Sequence, residues 1–234
     1  MRRFYKEAQV QPQPGGFALL LDGKPVKTPA RRQLAVPSRP LADAMAAEWQ
    51  AQAEKIDPRL MPLTGLANAA IDRVAPDIAA FAAGLAQYGE SDLLCYRAEG
   101  PERLVARQSE LWDPILAWAR QRYDVELKVT SGIIHRPQPP ATVERLGRAV
   151  SARGAFDLAA LSPLVTVSGS LLIALALAEG GISLEEAWPA AALDDHWQAE
   201  KWGHDSEAVL ALENRRNDFE AGARFLTLLS GSPA

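Results

Sequence analysis

Residues 17–49, FALLLDGKPVKTPARRQLAVPSRPLADAMAAEW, change from a strand pattern to a helix pattern, and this change indicates the fold class. Asp22-Gly23 stands between two apolar runs, and this dipeptide favours a tight hairpin turn whose two central residues need positive φ. Beyond Pro37, Ser38 is a suitable N-cap. The helical stripe that follows is carried by Leu41, Met45, Trp49 and Ile56.

The first part of the chain is predicted to be a small β-rich domain, residues 1–37, and the remainder a larger, mainly helical domain, residues 38–234. The fold class is therefore α+β. Short strands are expected at residues 4–10, 17–21, 25–26 and 33–36. A further strand at residues 125–129 is expected to return to the same sheet.

Helical spacing dominates after residue 37. One helix is expected to follow Pro101 and to be kinked or broken at Asp113-Pro114. A second, apolar on every side, is expected in the uncharged stretch 158–178. Further stripes are formed by Ile78, Phe81, Leu85 and Tyr88, and near the end of the chain by Val209, Leu212, Phe219, Ala223 and Leu226.

Ser183-Leu184-Glu185-Glu186 matches a capping box, in which a hydroxyl and a carboxylate satisfy one another's backbone donors. A helix is therefore predicted to begin there. Pro189 is expected to bend it and Gly203 to end it, and the last helix is expected to begin at Asp205 or Ser206.

Composition excludes some classes of function. The 234 residues carry a net charge of -4, with no run of lysine and arginine interleaved with aromatics, so nucleic acid is not an expected partner. The single cysteine, Cys95, cannot form an internal disulfide, which fits a reducing compartment and a structural thiol. Met1-Arg2-Arg3 runs into polar sequence rather than an apolar signal, and we expect a cytoplasmic protein.

Residues 158–178 are long enough to cross a bilayer, which leaves a membrane span as an alternative. Ser162-Pro163 interrupts the start of this stretch and small polar residues dilute its middle, which favours a buried helix over stable membrane insertion.

Signatures of common catalytic sites are missing, including a phosphate-binding glycine loop, a dinucleotide fingerprint and a complete nucleophile elbow. The best argument for an enzyme uses His196, Glu200 and His204, because residues four apart share one side of a helix and could hold zinc or iron. Gly203 weakens it by ending the helix before His204. A metal-dependent hydrolase using His196 and Glu200 remains the alternative function.

The segment 194–208, DDHWQAEKWGHDSEA, is unlike the rest of the chain in combining two tryptophans and two histidines with many charges. On a helix, Trp197 and Glu200 share one face, and Gln198 and Trp202 share the other. A carboxylate beside an indole needs a partner, so this segment is either a satisfied core interaction or a recognition site.

Several separate motifs, taken in order, resemble the family of ATP synthase F(1) sector assembly chaperones that handle the alpha subunit. They are Arg3-Phe4-Tyr5-Lys6, Leu21-Asp22-Gly23-Lys24-Pro25-Val26-Lys27-Thr28-Pro29, Glu48-Trp49-Gln50-Ala51-Gln52, Met61-Pro62-Leu63-Thr64, Asp92-Leu93-Leu94-Cys95-Tyr96-Arg97 and Trp112-Asp113-Pro114. The resemblance implies a β-rich domain followed by a helical one, without catalysis or a cofactor.

The resemblance implies that the chain binds the unassembled alpha subunit and shields its interface until the beta subunit replaces it. By position, Glu200 is the first candidate for this contact and Asp195 the second. The remaining candidates are Asp194, Trp197, Gln198 and Trp202. The alternative for Glu200 is an internal pair with a buried arginine. Without an Arg-rich leader, the chain is expected to be a bacterial member acting in the cytoplasm, whereas organelle relatives act in the mitochondrial matrix.

Glu48-Trp49 resembles another hallmark of the same family. Because Trp49 lies on the apolar stripe of the first helix, we expect it to be a core residue. Its truncation is expected to destabilise the fold by about 3–5 kcal/mol rather than to abolish recognition selectively.

Overall fold

The computed structural model describes residues 1–202 and 205–231. The chain forms two units. Unit 1 comprises Met1–Ile78, Gly154–Ala160 and the chain from Arg224 on, and unit 2 comprises Ala79–Arg153 and Leu161–Ala223. The predicted α+β class is confirmed. Strands give way to helices after residue 37, whereas the first segment of unit 1 extends to Ile78. An independent domain of residues 1–37 stays a prediction.

Unit 1 contains an antiparallel sheet of four strands. They are β1 (Ala8–Gln13), β2 (Gly16–Leu21), β3 (Lys24–Pro25) and β4 (Ala35–Val36). β2 pairs with each of the others. Asp22 and Gly23 have φ values of 48° and 79°, which confirms the predicted tight turn. Pairing begins at Ala8 rather than at residue 4, because the carboxylate of Asp22 accepts the N–H groups of Lys6 and Glu7.

Two helices of unit 1 are fixed by side-chain caps. The Ser38 hydroxyl accepts the Leu41 N–H at the start of α1 (Arg39–Gln50), as predicted. The carboxylate of Glu48, on α1, accepts the first amides of α2 (Pro62–Ala69), those of Leu63 and Thr64. These helices pack with β2 around a buried core that includes Leu19, Leu34, Leu41, Met45, Leu63 and Phe225.

The other α-helices of the described residues lie wholly or partly in unit 2. They are α3 (Ile78–Ala86), α4 (Glu102–Tyr123), α5 (Pro140–Ser151), α6 (Ala155–Ser168), α7 (Leu171–Ala178), α8 (Leu184–Ala191), α9 (Leu193–Trp202) and α10 (Ser206–Ser230). Two short parallel strands, β5 (Tyr96–Arg97) and β6 (Thr130–Ser131), accompany them. The capping box at Ser183 and Glu186 is confirmed at the start of α8.

Helix α4 was expected to be kinked or broken at Asp113-Pro114, and it continues through Pro114 without a break. Proline removes the hydrogen bond to the carbonyl four residues earlier, and here that carbonyl belongs to the exposed residue Glu110, where water can replace the donor. The turns on both sides are anchored by buried residues, Trp112 before the proline and Leu116 after it. Burial of this apolar face therefore outweighs the loss of one backbone hydrogen bond at Pro114.

The strand expected at residues 125–129 is wrong, although Val125 and Leu127 are buried in alternation. Side chains, rather than a neighbouring strand, satisfy this extended backbone. The amide of Gln138 bonds both the N–H and the C=O of Lys128. The strand that does form, β6, pairs with β5 and not with the N-terminal sheet.

The single apolar helix expected at residues 158–178 is also wrong. Gly169, at a φ of +67°, separates α6 from α7, and Ser170 caps the second helix. No helix within residues 1–202 and 205–231 is long and apolar enough to cross a membrane. The fully buried face of α7 explains the hydropathy of this stretch.

The helix predicted to run from residue 184 to Gly203 is two helices, α8 and α9, with Ala192 between them. Pro189 lies inside α8, so the interruption comes three residues later than the expected bend. Gly203 lies outside the described residues. The last helix begins at Ser206 as predicted, and Phe219 and Ala223 are buried, whereas Val209 was expected to face inward and is exposed.

Candidate functional site

Helix α9 carries the residues predicted to bind a partner. Leu193 and Trp197, one turn apart, are both buried and attach the helix to unit 2. Asp194 and Asp195 occupy the first turn, where the helix dipole favours negative charge. The exposed side chains are His196, Gln198, Glu200 and Lys201. The helix therefore combines a buried aromatic anchor with a polar, accessible surface.

Glu200 forms an ion pair with Arg107 of α4. Arg107 Nη1 donates to both carboxylate oxygens, at 2.7 and 2.9 Å, while 49% of the Glu200 side chain stays exposed. The hydrogen bond from Arg107 holds the pKa of Glu200 below its ordinary value. The guanidinium carbon of Arg107 also lies 5.3 Å from the ring centroid of Trp197, and the Lys201 ammonium lies 5.0 Å from it.

The two aspartates of α9 have partners as well. Both oxygens of Asp195 accept from Arg215 Nη1, at 3.1 and 3.0 Å, and the other amino group of Arg215 donates to Val167 O. Asp194 accepts a hydrogen bond from the buried side chain of Gln108, at 3.1 Å. The acidic face of α9 is thus held in place from two sides, by α4 and by α10.

Two hollows flank α9 within unit 2. The α4–α9 hollow, about 860 Å³, is lined by Leu104 and Gln108 of α4 and by Trp197 and Lys201 of α9, among others. The α9–α10 hollow, about 540 Å³, has a wall of apolar and charged side chains. That wall and its charged rim include Trp188, Asp195, Glu200, Val209, Leu212 and Glu213. Gln198 lines both hollows, so α9 forms the ridge between them.

The structure places five of the six predicted site residues on this ridge with described side chains. Trp197 is buried, Asp194 and Asp195 are half-buried, and Gln198 and Glu200 are exposed. The side chain of Trp202 lies outside the described residues. Trp197 and Glu200 were predicted to share one face of the helix. Both contact Arg107, which agrees with that prediction.

Sequence reasoning missed the basic partners of this site. Arg107 and Arg215 lie 93 and 20 residues from the carboxylates that they bind, and no local pattern joins such pairs. The alternative for Glu200 was an internal pair with a buried arginine. Glu200 does pair with an arginine of the same chain, although that arginine is not buried. The available signal was the pair Arg103 and Arg107, one turn apart beside the apolar stripe of α4.

The metal hypothesis finds no support. Glu200 is already paired with Arg107, and in the described parts of the chain no three histidine, cysteine or acidic side chains are grouped to hold a metal ion. His204, the third expected ligand, lies outside the described residues. Cys95 is buried, and burial, reinforced by Asp92, raises the pKa of its thiol to about 12, so that it is not a nucleophile at neutral pH.

The sequence profile of the family described as ATP12 chaperone protein matches residues 2–120 of this chain. The chain belongs to the ATP12 chaperone family. The resemblance drawn from its motifs is thereby confirmed. The protein atp12, mitochondrial, of Schizosaccharomyces pombe is 26% identical over 219 residues, which cover 86% of this chain and 74% of that protein.

Two solved structures, one of Atp12 and one of a putative chaperone, are similar to this chain. The crystal structure of Atp12 from Paracoccus denitrificans is 42% identical to this chain, covers 97% of it and 98% of its own length, and superposes with a TM-score of 0.92. The Atu1473 protein from Agrobacterium tumefaciens is 43% identical, with 97% and 86% of the two chains covered and the same TM-score. Both support the fold described above.

Proposed function

We propose that this protein is an ATP synthase assembly chaperone that binds the unassembled alpha subunit of the F(1) sector. It covers the surface that the alpha subunit later buries against the beta subunit. A subunit that awaits its partner exposes apolar interface, and a protein that binds only the folded subunit stabilises it by mass action. The proposal includes action in the cytoplasm and no chemical step.

The observation that carries the proposal is the half-exposed carboxylate of Glu200 on a ridge between two hollows. Arg107 presets the direction of this carboxylate, so little side-chain freedom is lost when a partner binds it. The hollows accept side chains of a client on either side of α9. Such a surface combines shape with replaceable polar contacts, as a temporary complex requires.

The polar contacts also explain how the chaperone would be released. Ion pairs exposed to water contribute at most about 1 kcal/mol each, so a surface built on them binds specifically without great strength. The permanent interface between subunits of a ring is larger and more apolar. Arrival of the beta subunit would therefore displace the chaperone from the alpha subunit.

The test compares Glu200→Gln with the wild-type protein in binding to purified alpha subunit. We expect binding to weaken by about threefold to fivefold, equivalent to roughly 0.6–1 kcal/mol, because a water-exposed charge contributes no more than this. The melting temperature should change by no more than about 2–4 °C, because the pair with Arg107 is a surface pair.

Glu144→Gln is the matched control, since Glu144 is exposed and pairs with Arg148 one turn away on α5. It should bind the alpha subunit as the wild type does. Wild-type affinity in the Glu200→Gln variant, at unchanged stability, would remove Glu200 from the binding site.

A further inference from the structure

A loop next to β6 presents two neighbouring isoleucine side chains to solvent. Ile133 is 99% exposed and Ile134 is 77% exposed. An aliphatic side chain left in water adds nothing to the stability of its own chain and favours burial against an apolar partner. Isolated exposed isoleucines are ordinary, but two in succession at a loop tip concentrate apolar surface at one point.

The isoleucine loop, residues 132–137, is held in position near both isoleucines. Gly132 N–H donates to Arg97 O at 2.9 Å, and the φ of +82° at Gly132 turns the chain just before the two isoleucines. On the other side, the hydroxyl of Tyr96 lies 3.1 Å from Nδ1 of His135. A tip fixed in this way loses little conformational freedom when it binds.

The isoleucine loop and helix α9 border the same hollow. Ile133 and Gly132 line the α4–α9 hollow together with Trp197, Gln198 and Lys201. A protein that enters this hollow to reach α9 therefore meets Ile133 as well. The apolar tip and the polar ridge are two parts of one continuous surface.

We propose that the isoleucine loop is a second contact for the protein client of α9, packing on an apolar patch of that same subunit. This inference rests on the proposed function. In the complex, α9 supplies the polar contacts that fix orientation, and Ile133 and Ile134 supply apolar burial. Protein interfaces commonly combine a buried apolar core with polar contacts at the rim.

Two observations favour a protein over a lipid bilayer as the occupant. Two isoleucine side chains offer fewer carbons for burial than one myristoyl chain, which alone gives only marginal membrane binding. The carboxylate of Glu99 also lies at the base of the tip, with Oε1 3.1 Å from the position that a Cβ on Gly132 would take. This negative charge offsets the exposed Arg136 of the same loop, so the tip has no basic cluster of the kind that binds anionic headgroups.

The first test measures binding of purified alpha subunit to the double variant Ile133→Ser, Ile134→Ser. We expect at least about tenfold weaker binding at an unchanged melting temperature, because both side chains are exposed in the free protein. Leu60→Ser is the matched control, since Leu60 is 67% exposed in unit 1, and it should bind as the wild type does.

The outcomes separate this inference from the proposed function. If the wild type binds the alpha subunit and the double variant binds it equally well, the isoleucine loop is not a contact and the inference is overturned while the function stands. If the wild type does not bind the alpha subunit, both are overturned.

A second test places an environment-sensitive fluorophore on Ile133→Cys. The buried thiol of Cys95 does not compete for the label. A blue shift on addition of alpha subunit supports the inference. A shift caused only by vesicles of anionic phospholipid, or only by raising the concentration of the labelled protein itself, overturns it in favour of a membrane or a second copy.

Discussion

Arg107 Nη1 lies 2.7 Å from Oε1 and 2.9 Å from Oε2 of Glu200, so that one amino group holds both oxygens of the carboxylate. Half of the Glu200 side chain is exposed, and solvent screens ion pairs of this kind. The pair therefore does little for stability. Its effect is to fix where a negative charge stands at the edge of α9.

Replacing Arg107 with glutamine should raise the pKa of Glu200 toward its ordinary value, because the hydrogen bond from Arg107 is the main cause of its depression. A depressed pKa adds stability above the ordinary pKa, and this contribution is lost as the pH falls through the folded-state pKa. The measurement is an NMR titration of the Glu200 carboxyl carbon. Identical titration curves in the two proteins would show that Arg107 does not hold the carboxylate in solution.

Asp92 should increase the free energy of unfolding at mildly acidic pH relative to neutral pH. Burial raises its pKa to about 6, although Ser170 and the amides of Leu94 and Leu172 donate to it. Between about pH 4 and 6 the folded state therefore binds a proton that the unfolded state releases. The free energy of unfolding from this group should fall by about 3 kcal/mol as the pH rises through that window.

The check is the pH dependence of denaturant unfolding in the wild type and in Asp92→Asn. In the Asp92→Asn variant, the free energy of unfolding should not show the extra decrease between pH 4 and 6. Asp43→Asn, which alters an exposed carboxylate paired with Arg39, serves as the control and should retain it. Parallel profiles for Asp92→Asn and the wild type would mean that Asp92 does not titrate in this range.

Two tryptophans should respond differently to replacement by phenylalanine. The indole N–H of Trp112 donates to Ala190 O at 2.9 Å inside unit 2. The indole nitrogen of Trp49 is buried and has no hydrogen-bond partner among the described residues. Trp112→Phe leaves a buried carbonyl unsatisfied, so it should cost about 1–3 kcal/mol more than Trp49→Phe.

The free energy of unfolding, measured for both variants in denaturant, provides the comparison. Equal costs would indicate that the Trp112 hydrogen bond has no net effect on stability. The separate expectation of about 3–5 kcal/mol for truncation of Trp49 remains open to the same measurement.

The local parts of the fold were predictable from the sequence. The turn at Asp22-Gly23, the N-cap at Ser38 and the capping box that begins at Ser183 depend on residues only a few positions apart. Their geometry follows from the conformational preferences of those residues, whatever packs around them. These elements, together with the α+β class, appear in the structure as expected.

The errors arose where distant residues decide the outcome. The alternating stretch around Leu127 has the period of a strand, but its backbone partner is the side chain of Gln138, which no periodicity reveals. Pro114 is tolerated because burial on both sides of it outweighs one lost hydrogen bond. The arginines that pair with α9 are likewise placed by the folding of α4 and α10.

Reconstitution tests whether this ATP12 family protein holds an alpha subunit until the beta subunit replaces it, as we propose. Purified protein and alpha subunit are mixed and separated by size-exclusion chromatography with light scattering, before and after addition of beta subunit. We predict a stable complex that dissociates when the beta subunit is added. The absence of a complex, or one that retains the chaperone together with both subunits, would contradict the account.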